Sequence, residues 1–209
     1  MRKVVVTGIG AVSSMGNSFH ESWTAVKKGL SGIAPLTRFD VPPTKWKMSG
    51  ELKGFDAGLY LSQKEMTHLD PFVQYAVAAS FMAAEDAQLA QKSLASDGVI
   101  IGSSRGGITT IERELEKIYA SRITHHASRL SPYLMPSTSV NAAASYVAQK
   151  LGIKGHCLGI SNSCSSGANA IGEAYRLIKS GYDGPVFAGG SEAPLCRLCV
   201  EGYGVSGAL

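Results

Sequence analysis

Apolar residues along this chain fall in short β-branched runs separated by longer stretches with helical spacing. Val4 to Thr7 ends in Gly8 and Gly10, which reads as a buried strand entering a turn. Val99-Ile100-Ile101, ahead of "GSSRGG", reads as a second such strand. "GHCLGIS" at 155–161 and "GPVFAGGSEA" at 184–193 read as a third and a fourth. Between them the period changes. Ser18 to Lys28 reads as a helix closed by Gly29. Asp70-Pro71 opens another, with a capping side chain followed by proline at the first helical position. Phe72, Tyr75, Ala76, Ala79 and then Met82 or Ala83 continue it at helical spacing. The run to about residue 89 is apolar on several faces, as expected of a helix buried in a core. "IERELEKIYA", Asn141 to Leu151 ahead of Gly152, and the segment from Cys164 to about Ser180 read as three more helices. Residues 30–60 read as loops with short irregular strands, and 121–138 as a long connection. The alternation argues an α/β fold, a mostly parallel sheet with helices on both faces.

A length of 209 residues suits one sizeable domain or two small ones, and no linker or internal repeat divides it. With 20 Lys+Arg against 16 Asp+Glu, the formal charge of +4 is compatible with an acidic partner without demanding one. The basic residues do not gather on one element, so nucleic-acid binding is not expected. No apolar stretch reaches the ~18 residues of a membrane span. "MRKVVVTGIG" is too short an apolar run for a signal peptide. Four cysteines, Cys157, Cys164, Cys196 and Cys199, are too few and too uneven for a disulfide framework. A reducing cytoplasmic location is the expectation.

Chemistry concentrates in "SNSCSSGANAIGEAYRLIKSG", residues 161 to 181. A cysteine at the N-terminus of a helix is favoured as thiolate, and backbone N–H groups there point outward where an oxyanion can be held. Ser165, Ser166 and Gly167 keep the helix start small, so a substrate can approach. Strand, sharp turn with the nucleophile at its tip, then helix is the arrangement that serine acyl-transfer enzymes use. The same residues allow a second reading, a small buried structural cysteine. Cys157, on the strand itself, is read as structural and buried.

Several stretches resemble one family in order and spacing: "VVVTGIGAVSSMGN" (4–17), "SGIAPLTRFD" (31–40), "MPSTSVNAAA" (135–144), "SCSSGANAIGEA" (163–174) and "AGGSEA" (188–193). They are similar to the β-ketoacyl-acyl carrier protein synthases, condensing enzymes of fatty acid and polyketide synthesis. The resemblance implies a thiolase-like fold and an active-site cysteine at Cys164. It implies acyl transfer to that thiol from a carrier thioester, then decarboxylative Claisen condensation with a malonyl thioester, with no cofactor. It also implies a homodimer formed through the sheet edge near the nucleophile. Tyr203, in "EGYGVSGAL", matches an aromatic position that lines the acyl pocket.

The chain departs from the family in places. It resembles only the first of two similar halves, so residues 1–209 are expected to be an amino-terminal half. The histidines and lysine that drive decarboxylation belong to the other half, and His20, His68, His125, His126 and His156 do not stand in for them. A second chain is one possible source of that half, and the chain alone is not expected to complete condensation. Arg105 stands where a small or apolar residue often gates the acyl pocket. Pointing inward, it favours a short, branched or oxygenated acyl group; the alternative is that it turns to solvent or to a carboxylate on a neighbouring chain. At the surface expected to dock the acidic carrier protein, Lys64 and Arg129 remain, while Thr67 and His68 dilute the charge and Ser206 replaces a frequent arginine. Asn162 and Ser163 stand where Thr and Ala commonly precede the cysteine.

Two motifs fail on their context. "GIGAVSSMG" lacks the third glycine of a dinucleotide fingerprint, since Ser13 occupies its place. "CRLC" (196–199) has CxxC spacing but no second pair, so neither a metal site nor a redox motif is expected. Two other functions stay open: a thiolase-type enzyme using coenzyme A thioesters, and a non-catalytic partner of a complete synthase.

Overall fold

The computed structural model describes residues 3–39, 46–89, 94–124, 129–182 and 184–209, without the side chains of 122–124. In chain order the elements are α1 (Phe19–Lys27), β1 (Ala34–Pro35), β2 (Met48–Ser49), α2 (Gln63–His68), α3 (Pro71–Asp86), β3 (Gly98–Gly102), α4 (Ile108–Thr124), α5 (Leu134–Thr138), α6 (Ala142–Leu151), β4 (Cys157–Ile160), α7 (Ser166–Lys179), β5 (Val186–Gly190) and α8 (Arg197–Val205). The strands β4, β3 and β5 form a parallel sheet in that order, with Ile100 of β3 opposite Leu158 on one side and Ala188 on the other. β1 and β2 pair separately as a short antiparallel ribbon.

β3 is the centre of the molecule because it is apolar on both faces, as a parallel strand covered by helices must be. All five of its residues are buried. Val99 and Ile101 pack with Phe72, Val73 and Val77 of α3 and with Ala143, Ala144 and Val147 of α6. Ile100 points to the opposite face, against Ala170 and Ala174 of α7. Helices therefore cover both faces of the sheet, as the alternation of elements predicts. Burying each large side chain of this core contributes roughly 1.5–3 kcal/mol.

The helix ends follow their sequence cues. Ser18 caps α1 by accepting from the Glu21 N–H at 3.1 Å, and Gly152, at φ +71°, ends α6 in the left-handed region that glycine tolerates. Asp70 does more than cap α3. Its Oδ1 accepts from the Phe72 N–H at 3.1 Å and its Oδ2 from the Thr110 N–H at 2.8 Å, so one buried carboxylate ties α3 to α4. Burial pushes the Asp70 carboxyl up, and these hydrogen bonds oppose that shift.

Four sequence expectations need correction. Val4–Thr7 is not a buried strand: the segment has no regular structure, and Val5 and Val6 are 61% and 79% exposed. An apolar run becomes a strand only with a neighbour to complete its ladder, and among the described residues this segment has none. The connection 121–138 contains the one-turn helix α5. The residues after "AGGSEA" form α8, a helix the pattern did not predict. Cys157 is exposed, on β4, which is an edge strand of the sheet among the described residues. His125 and His126 lie outside the described residues.

Candidate active site

Three chain segments meet at the carboxyl ends of the parallel strands, where α/β sheets present ligand sites. β3 ends at Gly102, β5 ends at Gly190, and β4 leads into the turn 161–165. Two close approaches bring them together. A Cβ on Gly102 would stand 2.3 Å from the carbonyl carbon of Ser166, and one on Gly167 would stand 3.2 Å from Gly190. Glycine at these places lets the start of α7 sit directly on the strand ends.

The turn that presents Cys164 is stapled by Ser166, whose hydroxyl is buried. Its Oγ donates to the Ser163 carbonyl at 2.6 Å and receives the Asn162 N–H at 2.8 Å. The Ser165 hydroxyl donates to the Asn162 carbonyl at 2.8 Å. Between them Ser163 adopts φ +48°, a left-handed conformation costing a non-glycine residue about 1–2 kcal/mol. The hydrogen bonds around it offset that cost and hold the turn in this shape. Cys164 is exposed at its tip, two residues ahead of α7.

The thiol opens into a cavity of about 420 Å³ lined by small residues, Gly102, Ser104, Gly167, Gly190 and Ser191 among them. Glu192, Pro194 and Tyr203 complete the wall. A smaller cavity of about 280 Å³ adjoins it through Glu192 and Pro194.

The other sequence candidates divide. Tyr203 of α8 lines the Cys164 cavity, whereas Arg105 is exposed and does not line it. Arg105 Nε donates to the Tyr203 hydroxyl at 2.9 Å, and its guanidinium carbon lies 5.5 Å from the Tyr203 ring centroid. That hydrogen bond raises the Arg105 guanidinium above its ordinary value. Arg105 thus fixes the orientation of an aromatic wall. Lys64, on α2, and Arg129 are both exposed. His68 of α2 stacks on Tyr133 at 3.9 Å between ring centroids, which sets α2 against the segment that follows Arg129. His20, His68 and His156 do not line the cavity.

Cys196 and Cys199 are buried, and burial pushes the Cys196 thiol up to about 12 and raises Cys199 as well. Among the described residues no group of three or more His, Cys, Asp or Glu could hold a metal ion.

The sequence reading missed the roles of two residues that shape the site. Ser166 looked like one of several small residues. Glu192 lay inside "AGGSEA" without a role, although an acid two residues past a strand's carboxyl end is a usable cue.

Fold and site together define a layered α/β protein that presents a cysteine thiol at a strand–turn–helix elbow. The chain belongs to the β-ketoacyl synthase family: the model of the β-ketoacyl synthase N-terminal domain matches residues 1–209. It is 37% identical over 210 residues to 3-oxoacyl-acyl-carrier-protein synthase 2 of a Synechocystis strain, covering 100% of this chain and 50% of that protein. Identity is also 37% over 210 residues, with the same coverage, to the synthase of that name from Vibrio cholerae. Among solved structures, the ishigamide ketosynthase/chain length factor superposes with a TM-score of 0.89 at 27% identity, over 100% of this chain and 51% of that one. The chain spans about half the length of the curated relatives it matches. The architecture is the thiolase-like fold of these ketosynthases.

Proposed function

We propose that this chain is the acyl-accepting half of a β-ketoacyl-acyl carrier protein synthase and that Cys164 is its acyl acceptor. The observation that carries this reading is the exposed Cys164 thiol, held by a stapled turn at the mouth of a cavity walled by small residues. The Cys164 sulfur attacks the carbonyl carbon of an acyl thioester, and the backbone N–H of Cys164 donates to the oxyanion that forms. The carbon–sulfur bond to the carrier breaks, and the carrier leaves as its thiol with the proton that Cys164 gives up. In condensation, a malonyl thioester loses carbon dioxide, its carbanion attacks the acyl carbonyl, and the Cys164 thiolate is released. The groups that promote decarboxylation come from a second half, in the same polypeptide or a second chain.

Tyr203, held by Arg105, is one wall of the acyl pocket. The carrier protein docks beside α2, where Lys64 and Arg129 supply positive charge. β4 leaves one edge of the sheet unpaired among the described residues, with Leu158 40% exposed, and this edge is the homodimer seam. Four free cysteines suit the reducing cytoplasm. No helix among the described residues is long and apolar enough to cross a membrane.

The test is incubation with an acyl-carrier thioester and, separately, the matching coenzyme A thioester, followed by peptide mass mapping. Acyl on Cys164, formed faster from the carrier thioester, is the expected result. Faster transfer from coenzyme A would move the chain to the thiolase-type reading. No adduct on Cys164 under either condition would overturn the proposal and leave a non-catalytic partner role.

A further inference from the structure

The turn 103–106 follows β3 and borders the Cys164 cavity, and a single atom gathers its donors. Glu192 Oε1 accepts from the Ser103 hydroxyl at 2.9 Å, from the Ser104 N–H, and from the Arg105 N–H at 3.3 Å. Ser103 Oγ in turn accepts from the Gly106 N–H at 3.1 Å. Successive N–H groups directed at one point make an anion-binding nest, and here the anion is the protein's own carboxylate. Glu192 is exposed and lines both cavities, so this carboxylate does not serve to fill the core. Hydrogen bonds to an ionised acceptor are the stronger kind, and three of them converge on this one.

The same turn also acts outward. Its backbone is fastened to the end of β5 through Glu192, and its Arg105 side chain is fastened to Tyr203 of α8. Two walls of the cavity, the turn and the aromatic ring, therefore depend on one carboxylate.

We propose that Glu192 is a positioning residue: it holds the 103–106 turn, and through Arg105 the Tyr203 ring, at the spacing an acyl group needs to reach Cys164. This rests on the reading of Cys164 as acyl acceptor. Glu192 transfers no proton and contacts no reacting atom; it acts through the turn.

The experiment compares the parent chain with Glu192→Ala and Glu192→Gln. In Glu192→Ala, acyl transfer to Cys164 slows by about tenfold or more, carried by KM. Alkylation of Cys164 by iodoacetamide stays within about twofold, because that reagent needs the thiol and not the wall. Glu192→Gln keeps an acceptor oxygen and loses less. Formate at ~100 mM, a free carboxylate for the vacated nest, restores part of the rate in Glu192→Ala. Acyl transfer equal in Glu192→Ala and the parent would overturn the proposal. So would a parallel loss of alkylation, which places the fault in the Cys164 turn instead. Hydrogen exchange at the Ser104 and Arg105 amides reads the clamp without acyl chemistry. It should accelerate at least about tenfold in Glu192→Ala, and unchanged exchange would also overturn it. If the parent itself takes no acyl group while exchange responds, the acyl-acceptor reading falls and the clamp is retained.

Discussion

Cys164 and Cys196 stand at nearly the same place relative to a helix, and their surroundings make them opposites. Cys164 lies two residues ahead of α7, and Cys196 is the N-cap residue of α8. At α7 no side chain caps the first turn, the neighbours are serines and glycines, and the thiol is exposed. At α8 the Arg197 N–H donates at 2.8 Å to one oxygen of Glu112, and the Leu198 N–H donates to the other. The positive end of α8 thus already meets a carboxylate reaching over from α4, and Cys196 is 3% exposed beneath it. For the N-terminus of α8 to favour a thiolate at Cys196, that thiol would have to be open and the N–H groups there free of another anion. Where both conditions fail, desolvation wins, and the Cys196 thiol is pushed up to about 12.

The sharpest way to break this comparison is thiol labelling at pH 8, in a Cys157→Ser background that removes the exposed thiol of β4. Cys164 should react more than about a hundredfold faster than Cys196, which keeps its proton at that pH. Comparable rates, read by peptide mass mapping, would show that α8 does not protect its cysteine.

Gly102→Ala attacks the open side. The new Cβ would stand 2.3 Å from the carbonyl of Ser166, so the start of α7 must move off the strand end. A loss of about 2 kcal/mol or more in stability is expected, with slower acyl transfer to Cys164. Denaturant unfolding and the acylation assay check the two effects, and an unchanged midpoint would mean that this contact is not tight.

Glu112→Ala attacks the closed side. It uncaps α8 and should cost about 1–2 kcal/mol, while labelling of Cys196 rises about tenfold and that of Cys164 does not change. If both rates rise together, the two helix starts are coupled and the protection of Cys196 is not local to α8.

The smallest effect is alkaline. The folded state holds the Cys196 proton more tightly than an unfolded thiol, which titrates near about 8.5. The stability from burying the neutral thiol is complete below that pH and is lost as pH rises toward about 12. The melting temperature should fall across this window, and fall less in Cys196→Ala. Equal slopes would remove Cys196 as the cause.

The fold was readable in the sequence wherever a segment carried its own instructions. Asp70-Pro71, Ser18 and Gly152 mark helix ends by local chemistry, and they stand where expected. β3 was readable because an apolar strand flanked by helical segments belongs in the middle of a parallel sheet. Val4–Thr7 carries the same β-branched pattern as β3 and failed, because strand pairing is supplied by another part of the chain. For the candidate site, the place of Cys164 at a turn ahead of a helix was legible from its small neighbours and the helix behind it. Ser166 and Glu192 were not. The donors that Glu192 gathers lie 87 to 89 positions away, and the bond that makes Ser166 a staple depends on the left-handed turn at Ser163.

By itself the sequence determined the layered α/β class, the marked ends of α1, α3 and α6, and which cysteine stands at a strand–turn–helix elbow, because each follows from spacing and local backbone preference. The tertiary structure alone decided which thiols are open and which are buried. It also decided that Arg105 orients Tyr203, and that Glu192 gathers the turn beside Cys164. These are matters of what lies across the space between elements, where burial and charge act through distance and carry no period along the chain.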